Sequence, residues 1–407
     1  MRSYSFFTIV LLCLAILAID ILAFMGLRSI LEHTNLLPLV KIAVKLVFWI
    51  FTIGLITAIL VLKSRMDSIH VGRKQLLISR LYGLTISSFV PKIIFVFAIA
   101  IIYFTNSLSL NSNWMIFVII LALLSGLLPF FAIIYAIFKA AYRFKIHNIE
   151  IVFENLPKKF EGLKIVQISD IHIGSFNYRY KILEKAVNQI NDLEPDLIFF
   201  TGDMVNNYAW ELKGWAKVFK KLKAKRGKFA VLGNHDYGDY SQWKTKKAKQ
   251  SNFESIKYFF KKIDFTLLMN DAVVISKESE EIVIVGVENW GKPPFKQYGN
   301  LDKALETGKF VSFKILLSHD PSHWAEEVIE KTDIALTLSG HTHGMQAGFN
   351  LKNKEWSPIK YKYKHWAGLY KHKNQYLYVN RGLGWLGFPG RLGMRPEITL
   401  IELMSND

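Results

Sequence analysis

Two histidines, His341 and His343, lie one residue apart in the stretch 339–344 (SGHTHG). The preceding run 334–338 (IALTL) is apolar and bounded by glycine, which is typical of a short buried strand. Loops at strand ends commonly carry binding and catalytic side chains. Two neighbouring imidazoles are costly to satisfy in a core, but each can ligate a different metal ion when two ions lie side by side.

Four other apolar runs end in similar polar clusters. Residues 164–169, 197–201, 229–232 and 313–318 each have the composition of a strand and lead directly into Asp, Asn or His. The candidate metal ligands at the five strand ends are Asp170, His172, Asp203, Asn234, His319, His341 and His343. A single Gly-Asp pair is often only a turn, and a lone histidine is often a surface group. Five of the eleven histidines fall in these loops, however, and such clustering favours a common site.

The types of ligand indicate the chemistry. Carboxylates, imidazoles and an amide suit hard or borderline divalent ions, and the only cysteine, Cys13, lies in an apolar run, which excludes a thiolate site and an intrachain disulfide. One ion does not need seven ligands, whereas two ions about 3.5–4 Å apart do, with one carboxylate shared. Such a pair generates hydroxide from water at neutral pH and neutralises charge on a phosphoryl group.

The five clusters occur in the order found in the calcineurin-like metallophosphoesterase superfamily. The chain resembles the membrane-attached bacterial branch of that superfamily from about residue 163 to its end, including residues 395–397 (RPE). The resemblance implies an α/β fold, a four-layer sandwich of two mixed β-sheets flanked by helices. It also implies a dinuclear metal-dependent hydrolase that cleaves phosphate esters, with manganese as the first expectation and iron or zinc as alternatives.

The resemblance assigns a role to each matching residue. One ion would be held by Asp170, His172 and His343, the other by Asn234, His319 and His341, and Asp203 would bridge them. His235 would contact the phosphate or act as general acid, and Asp236 would fix the tautomer of His235 by hydrogen bonding.

Two residues depart from the pattern of the superfamily. Asn206 stands where a second aspartate is usual after Gly202-Asp203, which removes an expected hydrogen bond around the ligands. Met345 stands where the branch often has a second glycine, so its side chain is expected to narrow the floor of the pocket.

The first part of the chain has a different composition. Four apolar runs, residues 6–25, 43–62, 84–104 and 114–137, are each about long enough to cross a bilayer. The sequence therefore predicts an all-α membrane domain of four transmembrane helices in residues 1–143 and a catalytic domain in residues 144–407. The loop 63–80 carries five Lys and Arg residues and the loop 105–113 carries none. This asymmetry predicts a multi-pass protein of the inner (plasma) membrane with its catalytic domain in the cytoplasm.

Charged residues also occur in or near these runs. Asp20, Lys45 and Lys92 could form an ion path, or they could be an internal pair and lysines that reach toward the interface. Because a relay generally needs a chain of carboxylates and one is present, the second interpretation is favoured.

Periodicity predicts several elements of the catalytic domain. Alternating apolar residues in 144–153 indicate an edge strand, and residues 376–379 and 398–403 indicate closing strands. Amphipathic patterns predict helices over 180–193 and 210–222.

The segment 350–373, here called the aromatic–lysine segment, leaves three interpretations open. It can rest on anionic lipid, cap the metal site and recognise substrate, or form a solvated hairpin whose aromatic rings pack on the sheet. The net charge of +18 favours anionic partners: phosphate esters, membrane lipids or nucleic acid. Nucleic acid ranks last, because a membrane tether restricts access to long polymers.

The leading hypothesis is a membrane-anchored phosphoesterase, first of all a phosphodiesterase, whose substrate is lipid-linked or nucleotide-linked. The alternative is a catalytically silent metal-binding scaffold or sensor module tethered to the membrane. The sequence sets neither the natural substrate nor the oligomeric state.

Overall fold

The chain folds into two compact units. The computed structural model describes residues 5–105, 112–293, 295–351 and 354–406. One unit consists of Lys139–Leu386 and Arg391–Asp407, and the other of Arg2–Phe138 and Gly387–Gly390. The α-helices are α1 (Phe6–Glu32), α2 (Pro38–Ser64), α3 (Val71–Thr105), α4 (Ser112–Phe138), α5 (Tyr180–Asn191), α6 (Ala216–Phe219), α7 (Lys246–Lys262) and α8 (Leu301–Glu306). The strands are β1 (Lys145–Phe153), β2 (Leu163–Ile168), β3 (Leu197–Thr201), β4 (Gly227–Val231), β5 (Thr266–Leu267), β6 (Asp271–Lys277), β7 (Glu280–Gly286), β8 (Lys314–Leu317), β9 (Ile334–Ser339), β10 (Phe349–Leu351), β11 (Lys354–Trp356), β12 (Gly368–His372), β13 (Gln375–Val379) and β14 (Glu397–Ser405).

The unit that contains α1 to α4 has the composition of a membrane protein. All four helices are long and apolar enough to cross a bilayer, as the sequence predicts. Large apolar side chains such as Leu39 and Ile50 are mainly exposed, which suits contact with lipid rather than water. The uncharged loop on which the orientation argument depends, residues 105–113, lies mostly outside the described residues.

A buried ion pair connects three of these helices. Asp20 on α1 is 1% exposed, and its carboxylate lies 2.8 Å from Nζ of Lys92 on α3. Thr52 on α2 donates its hydroxyl to the same carboxylate oxygen, and Lys92 also lies 4.5 Å from the centre of the Phe48 ring. Asp20 and Lys92 therefore form the internal pair that the sequence favours.

The second unit is built on two six-stranded sheets. The strand order is β1-β14-β2-β3-β4-β5 in the first sheet and β12-β13-β9-β8-β7-β6 in the second. Both sheets are mixed: β14 runs antiparallel to β2, and β6 runs antiparallel to β7, among otherwise mostly parallel neighbours. The strand predicted at 144–153 is β1, which lies at an edge and pairs with β14.

Alternating side chains divide the core into layers. In β2, Ile165 points to the region between the two sheets and Val166 to the opposite face, as the period of two residues in a strand requires. The outer face of the first sheet packs on α5, α6 and α7, and the outer face of the second sheet packs on α8 and Trp324. The result is the predicted four-layer sandwich of two mixed sheets flanked by helices.

The helix predicted over residues 210–222 is wrong in its extent. This region contains a 3-10 turn, Ala209–Leu212, and the one-turn helix α6. Gly214 separates them with φ of +82°, a left-handed backbone that ends any right-handed helix. The helix predicted over 180–193 is α5, which is two residues shorter.

The sheet topology explains why the five polar clusters meet. Strands β2, β3 and β4 are parallel neighbours in the first sheet, and β8 and β9 are parallel neighbours in the second. Parallel neighbours end at the same edge of a sheet, so the loops that follow these strands are brought together there.

Candidate metal centre

The loops that carry the predicted ligands have an unusual backbone. Asp170, His172, Asp203, His341 and His343 all have positive φ, between 45° and 72°. Such left-handed conformations are costly for residues other than glycine and are found mainly where the surrounding structure and function impose them. Five of the seven predicted ligands therefore share this backbone conformation.

Two glycines allow the loops to touch. A Cβ on Gly340 would lie 2.0 Å from Oγ of Ser169 and 2.3 Å from Oδ2 of Asp170. A Cβ on Gly202, whose φ is +100°, would lie 2.6 Å from Nδ1 of His319. Any side chain at either position would push one ligand loop away from its neighbour.

Asp170, His172 and His343 form one buried group. Their potential ligand atoms all lie within 4.8 Å of one another. Nε2 of His172 lies 3.1 Å from Nε2 of His343, and the latter atom lies 3.3 Å from Oδ1 of Asp170. Three donor atoms thus point at one small volume.

A second group lies beside the first. Oδ2 of Asp203 lies 3.5 Å from Nε2 of His172 and 3.3 Å from Nε2 of His319, between the two groups. Nδ1 of His341 lies 2.9 Å from Oδ1 of Asn234 and 3.3 Å from Nε2 of His319. The structure therefore brings all seven predicted ligands into one continuous cluster.

The charge balance of this cluster suits cations. Two imidazole nitrogens 3.1 Å apart share at most one proton, whereas a metal ion accepts a lone pair from each. Burial lowers the pKa of His172 to about 3 and that of His341 to about 4, so both rings stay neutral and keep a lone pair for a metal. Burial also raises the pKa of Asp170 to about 6. The pKa of His319 is lowered by burial but raised to about 10 overall by the carboxylates of Asp203 and Asp170, which shows that these buried anions attract positive charge. The donor set therefore fits divalent metal ions.

His235 lies at the rim of the cluster and is partly exposed. Its backbone N–H donates to Oδ1 of Asp203, and its Nδ1 lies 2.7 Å from the carbonyl oxygen of Asn206. A carbonyl accepts only, so Nδ1 carries the proton and Nε2 faces away from this contact.

The role expected for Asp236 is wrong. Its carboxylate accepts backbone N–H groups of Asp203, Met204, Val205 and Gly233, at 2.9–3.2 Å, and does not orient the His235 ring. The carbonyl oxygen of Asn206 orients the His235 ring instead. Asp236 is a positioning residue for the loop that carries Asp203.

Glu211 is a further buried residue that the sequence does not single out. Its carboxylate accepts the backbone N–H groups of Asn206, Asn207 and Tyr208, so it fixes the loop whose carbonyl orients His235. Burial raises the pKa of Glu211 to about 7. A Glu placed three residues into a short helix, where it can cap the first turn, is the signal that could have identified it.

The aromatic–lysine segment holds the histidine loop in place. The hydroxyl of Tyr363 lies 2.8 Å from Nε2 of His341. Thr342 donates its hydroxyl to the carbonyl of Trp366, and Ser357 donates its hydroxyl to the carbonyl of Gly344. Residues 352 and 353 of the segment lie outside the described residues. These contacts support the interpretation that the segment caps the metal site.

Arg391 supports the opposite side of the cluster. Its side chain is fully buried and donates to the carbonyls of Arg381, Gly382 and Gly384, and the N–H of Gly384 donates to the carbonyl of Asp170. Met345, which the sequence expects to narrow the floor of the pocket, is 53% exposed.

Known proteins resemble this chain in sequence. A profile of the calcineurin-like phosphoesterase family matches residues 163–345. The uncharacterized metallophosphoesterase YkuE of Bacillus subtilis is 31% identical over 259 residues, which cover 62% of this chain and 82% of that protein. A transmembrane protein with metallophosphoesterase domain from Danio rerio is 30% identical over 279 residues, 66% of this chain. The phosphodiesterase YaeI of Escherichia coli is 28% identical, and the match covers 59% of this chain and 82% of that protein.

The extent of these matches differs between relatives. The chain spans 60% of the length of the Danio rerio protein, and most of the length of YkuE and YaeI. The family profile covers the five strand-end clusters, and the identity to YkuE extends over most of that relative. The chain therefore belongs to the calcineurin-like phosphoesterase family.

Proposed function

We propose that this protein is a membrane-anchored phosphodiesterase that depends on two divalent metal ions. The observation that carries the proposal is the cluster of seven donor groups, six of them buried, with His235 at its rim. YaeI, a relative that is named a phosphodiesterase, supports diesters as the substrate class. Manganese is the first expectation for the metal, with iron or zinc as alternatives that the ligand set also admits.

The two groups of side chains support an assignment of the ligands. Asp170, His172 and His343 would hold one ion; Asn234, His319 and His341 would hold the other; and Asp203 would contact both. Bound divalent ions supply Lewis acidity toward water and toward the phosphoryl group. Imidazoles and an amide carry no negative charge, so the two aspartates are the only negative charges in this set, and two bound divalent ions would outweigh them and attract a phosphate anion.

His235 has the geometry of a general acid. Because the carbonyl of Asn206 holds Nδ1–H, Nε2 is the atom available to a substrate. In the hydrolysis, a water oxygen bonds to phosphorus and releases a proton to solvent, one ester P–O bond breaks, and the departing oxygen takes a proton from Nε2 of His235. Asn206, Glu211 and Asp236 act by holding the backbone around this atom.

The membrane unit suggests where the substrate lies. We propose that the four helices anchor the protein in the inner membrane, that residues 144–407 form the catalytic domain on the cytoplasmic side, and that the phosphodiester is attached to a lipid. The basic loop 63–80 supports this orientation.

Hydrolysis of bis(p-nitrophenyl) phosphate by the purified full-length protein tests the activity. We expect activity with added Mn²⁺, loss of activity with a chelator, and a decrease of at least about 100-fold in Asp203→Asn, because this carboxylate contacts both groups of ligands. Asp271→Asn is the matched control, since Asp271 is exposed at the start of β6. Activity that survives Asp203→Asn would contradict the proposed site.

Measurements on the same purified protein distinguish a phosphodiesterase from the silent-scaffold alternative. Two bound metal ions per chain without hydrolysis of any monoester or diester would favour it. A lipid substrate is tested by mass spectrometry of extracted membrane lipids after incubation. An unchanged lipid profile relative to Asp203→Asn would exclude a lipid substrate while leaving the phosphodiesterase activity intact.

A further inference from the structure

A cavity of about 140 Å³ lies directly beside the metal centre. Asn234 lines it and also belongs to the ligand cluster. The other lining residues come from the loops after β4 and β7: Asp239, Tyr240, Asn289, Phe295, Lys296 and Tyr298. A phosphodiester carries two organic groups, here called arms. When its phosphate lies at the ligand cluster, one arm lies next to this cavity.

Aromatic rings join the cavity to the cluster. Nδ2 of Asn234 donates to the hydroxyl of Tyr240 at 2.9 Å, and the Tyr240 ring lies 4.6 Å from the ring of His235. The ring of Phe295 meets that of His341 edge-on at 5.1 Å. The two rings therefore line the cavity and also contact His235 and the ligand His341.

The far wall is held together by ion pairs and by ring stacking. The carboxylate of Asp239 accepts from the hydroxyl of Tyr298 at 2.7 Å and pairs with Lys249 and Lys296. The Tyr298 ring stacks on Tyr237 at 4.1 Å with an angle of 7° between the planes. Because two lysines already neutralise Asp239, the wall offers no free carboxylate to a cationic ligand.

Asn289 supplies an unused hydrogen-bond acceptor. The residue is 1% exposed, and its Nδ2 donates to the carbonyl of Lys296 at 3.0 Å. Within the described part of the chain, no donor reaches its Oδ1. A buried amide oxygen without a partner is costly by about 1–3 kcal/mol, which a hydroxyl of a bound ligand would recover.

We infer that this cavity binds one arm of the phosphodiester substrate, and that this arm is a compact neutral polyol of about the size of glycerol. The inference rests on the proposed function. A cavity of about 140 Å³ suits a small group such as a three-carbon polyol. The aromatic walls contact the C–H faces of the polyol, and a hydroxyl of the polyol donates to Oδ1 of Asn289.

A pair of symmetric substrates tests this inference, because either arm can enter the cavity. The full-length protein is given diglyceryl phosphate or dipropyl phosphate with Mn²⁺, and the monoester product is measured by ³¹P nuclear magnetic resonance. We expect kcat/KM to be at least about tenfold higher for the glyceryl ester, as the loss of one hydrogen bond to a buried acceptor implies. In Asn289→Leu the preference should fall close to one, whereas in Gln297→Leu, an exposed residue of the same loop, it should not change.

The outcomes distinguish failure of the polyol site from failure of the proposed function. Hydrolysis of bis(p-nitrophenyl) phosphate together with equal rates on the two dialkyl esters in the wild-type protein would overturn the polyol site alone. Absence of hydrolysis of all diesters would overturn the proposed function and the polyol site with it. Mixed micelles of phosphatidylglycerol, compared with soluble diglyceryl phosphate, show whether the polyol ester comes from a lipid.

Discussion

Tyr363 connects an irregular surface segment to a proposed metal ligand. It is 8% exposed, and its hydroxyl lies 2.8 Å from Nε2 of His341. The other ring nitrogen of His341 faces Asn234 and His319. A proton on Nε2, held by the tyrosine oxygen, leaves the lone pair on Nδ1 for a metal ion. Partners of this kind fix both the tautomer and the orientation of metal-binding histidines.

Removal of this hydroxyl should weaken metal binding without unfolding the protein. In Tyr363→Phe we expect the affinity for the ion at the group that contains His341 to fall by about 10–100-fold, because the ring still packs on Trp366 and Met394. Titration calorimetry and elemental analysis of metal-stripped protein measure this directly. The control is Tyr361→Phe, a change in the same segment at a residue that is 78% exposed. Equal metal affinities in the two variants would exclude the positioning role of Tyr363.

The residues of the site differ in how far the sequence predicts them. The ligands could be predicted because each follows an apolar strand within four residues, and parallel strands end at a common edge. Tyr363 and the carbonyl of Asn206 could not, because irregular loops bring them to the site and no periodic pattern records such contacts. The backbone contacts of Asp236 escape sequence reasoning for the same reason, which is why its expected contact with His235 is wrong.

At the scale of elements, a buried ion pair fixes the start of β14. Glu397 is fully buried, pairs with Arg381, and accepts a hydrogen bond from the hydroxyl of Tyr378 at 2.6 Å. Arg381 also pairs with Glu355 in β11. This network joins the hairpin of β10 and β11 to both sheets, so the short motif 395–397 (RPE) has a structural explanation.

The ion pair of Glu397 and Arg381 should make the free energy of unfolding depend on pH. Burial alone would raise the pKa of Glu397, but Arg381 lowers it to about 2, compared with an ordinary value near 4.5. A lowered carboxyl pKa stabilises the folded state above pH 4.5, and this stabilisation, roughly 3 kcal/mol, is lost as the pH falls toward 2. We therefore expect Glu397→Gln to lower the melting temperature at pH 7 and to approach the wild-type protein at pH 3. The control Glu402→Gln changes a partly exposed residue of β14. A difference between Glu397→Gln and wild type that is the same at both pH values would contradict this account.

The elements themselves were largely predictable from periodicity. Strands β1, β2, β3 and β9 appear where apolar alternation or apolar runs indicate them. The true extent of the helix predicted over 210–222 was not predictable, because the left-handed backbone at Gly214 interrupts the amphipathic pattern. Helix α7 was also not predicted: its first turn is rich in lysine, and its start is capped by the hydroxyl oxygen of Thr245, which accepts the N–H of Ala248.

At the scale of the whole molecule, the orientation of the catalytic unit can be measured. The chain has one cysteine, Cys13, which is replaced by alanine to give a cysteine-free background. We expect a membrane-impermeant maleimide to label Lys220→Cys, an exposed position, in inverted vesicles but not in spheroplasts. Asn35→Cys, exposed between α1 and α2, should show the opposite pattern. Labelling of Lys220→Cys from the outside would reverse the proposed orientation.

The pairing of Asp20 with Lys92 has a consequence for biosynthesis. An aspartate released into hydrocarbon without its partner costs several kcal/mol, and 72 residues separate it from the lysine that neutralises it. Helix α1 should therefore remain at the insertion machinery until α3 has emerged from the ribosome, so that the helices enter the bilayer together.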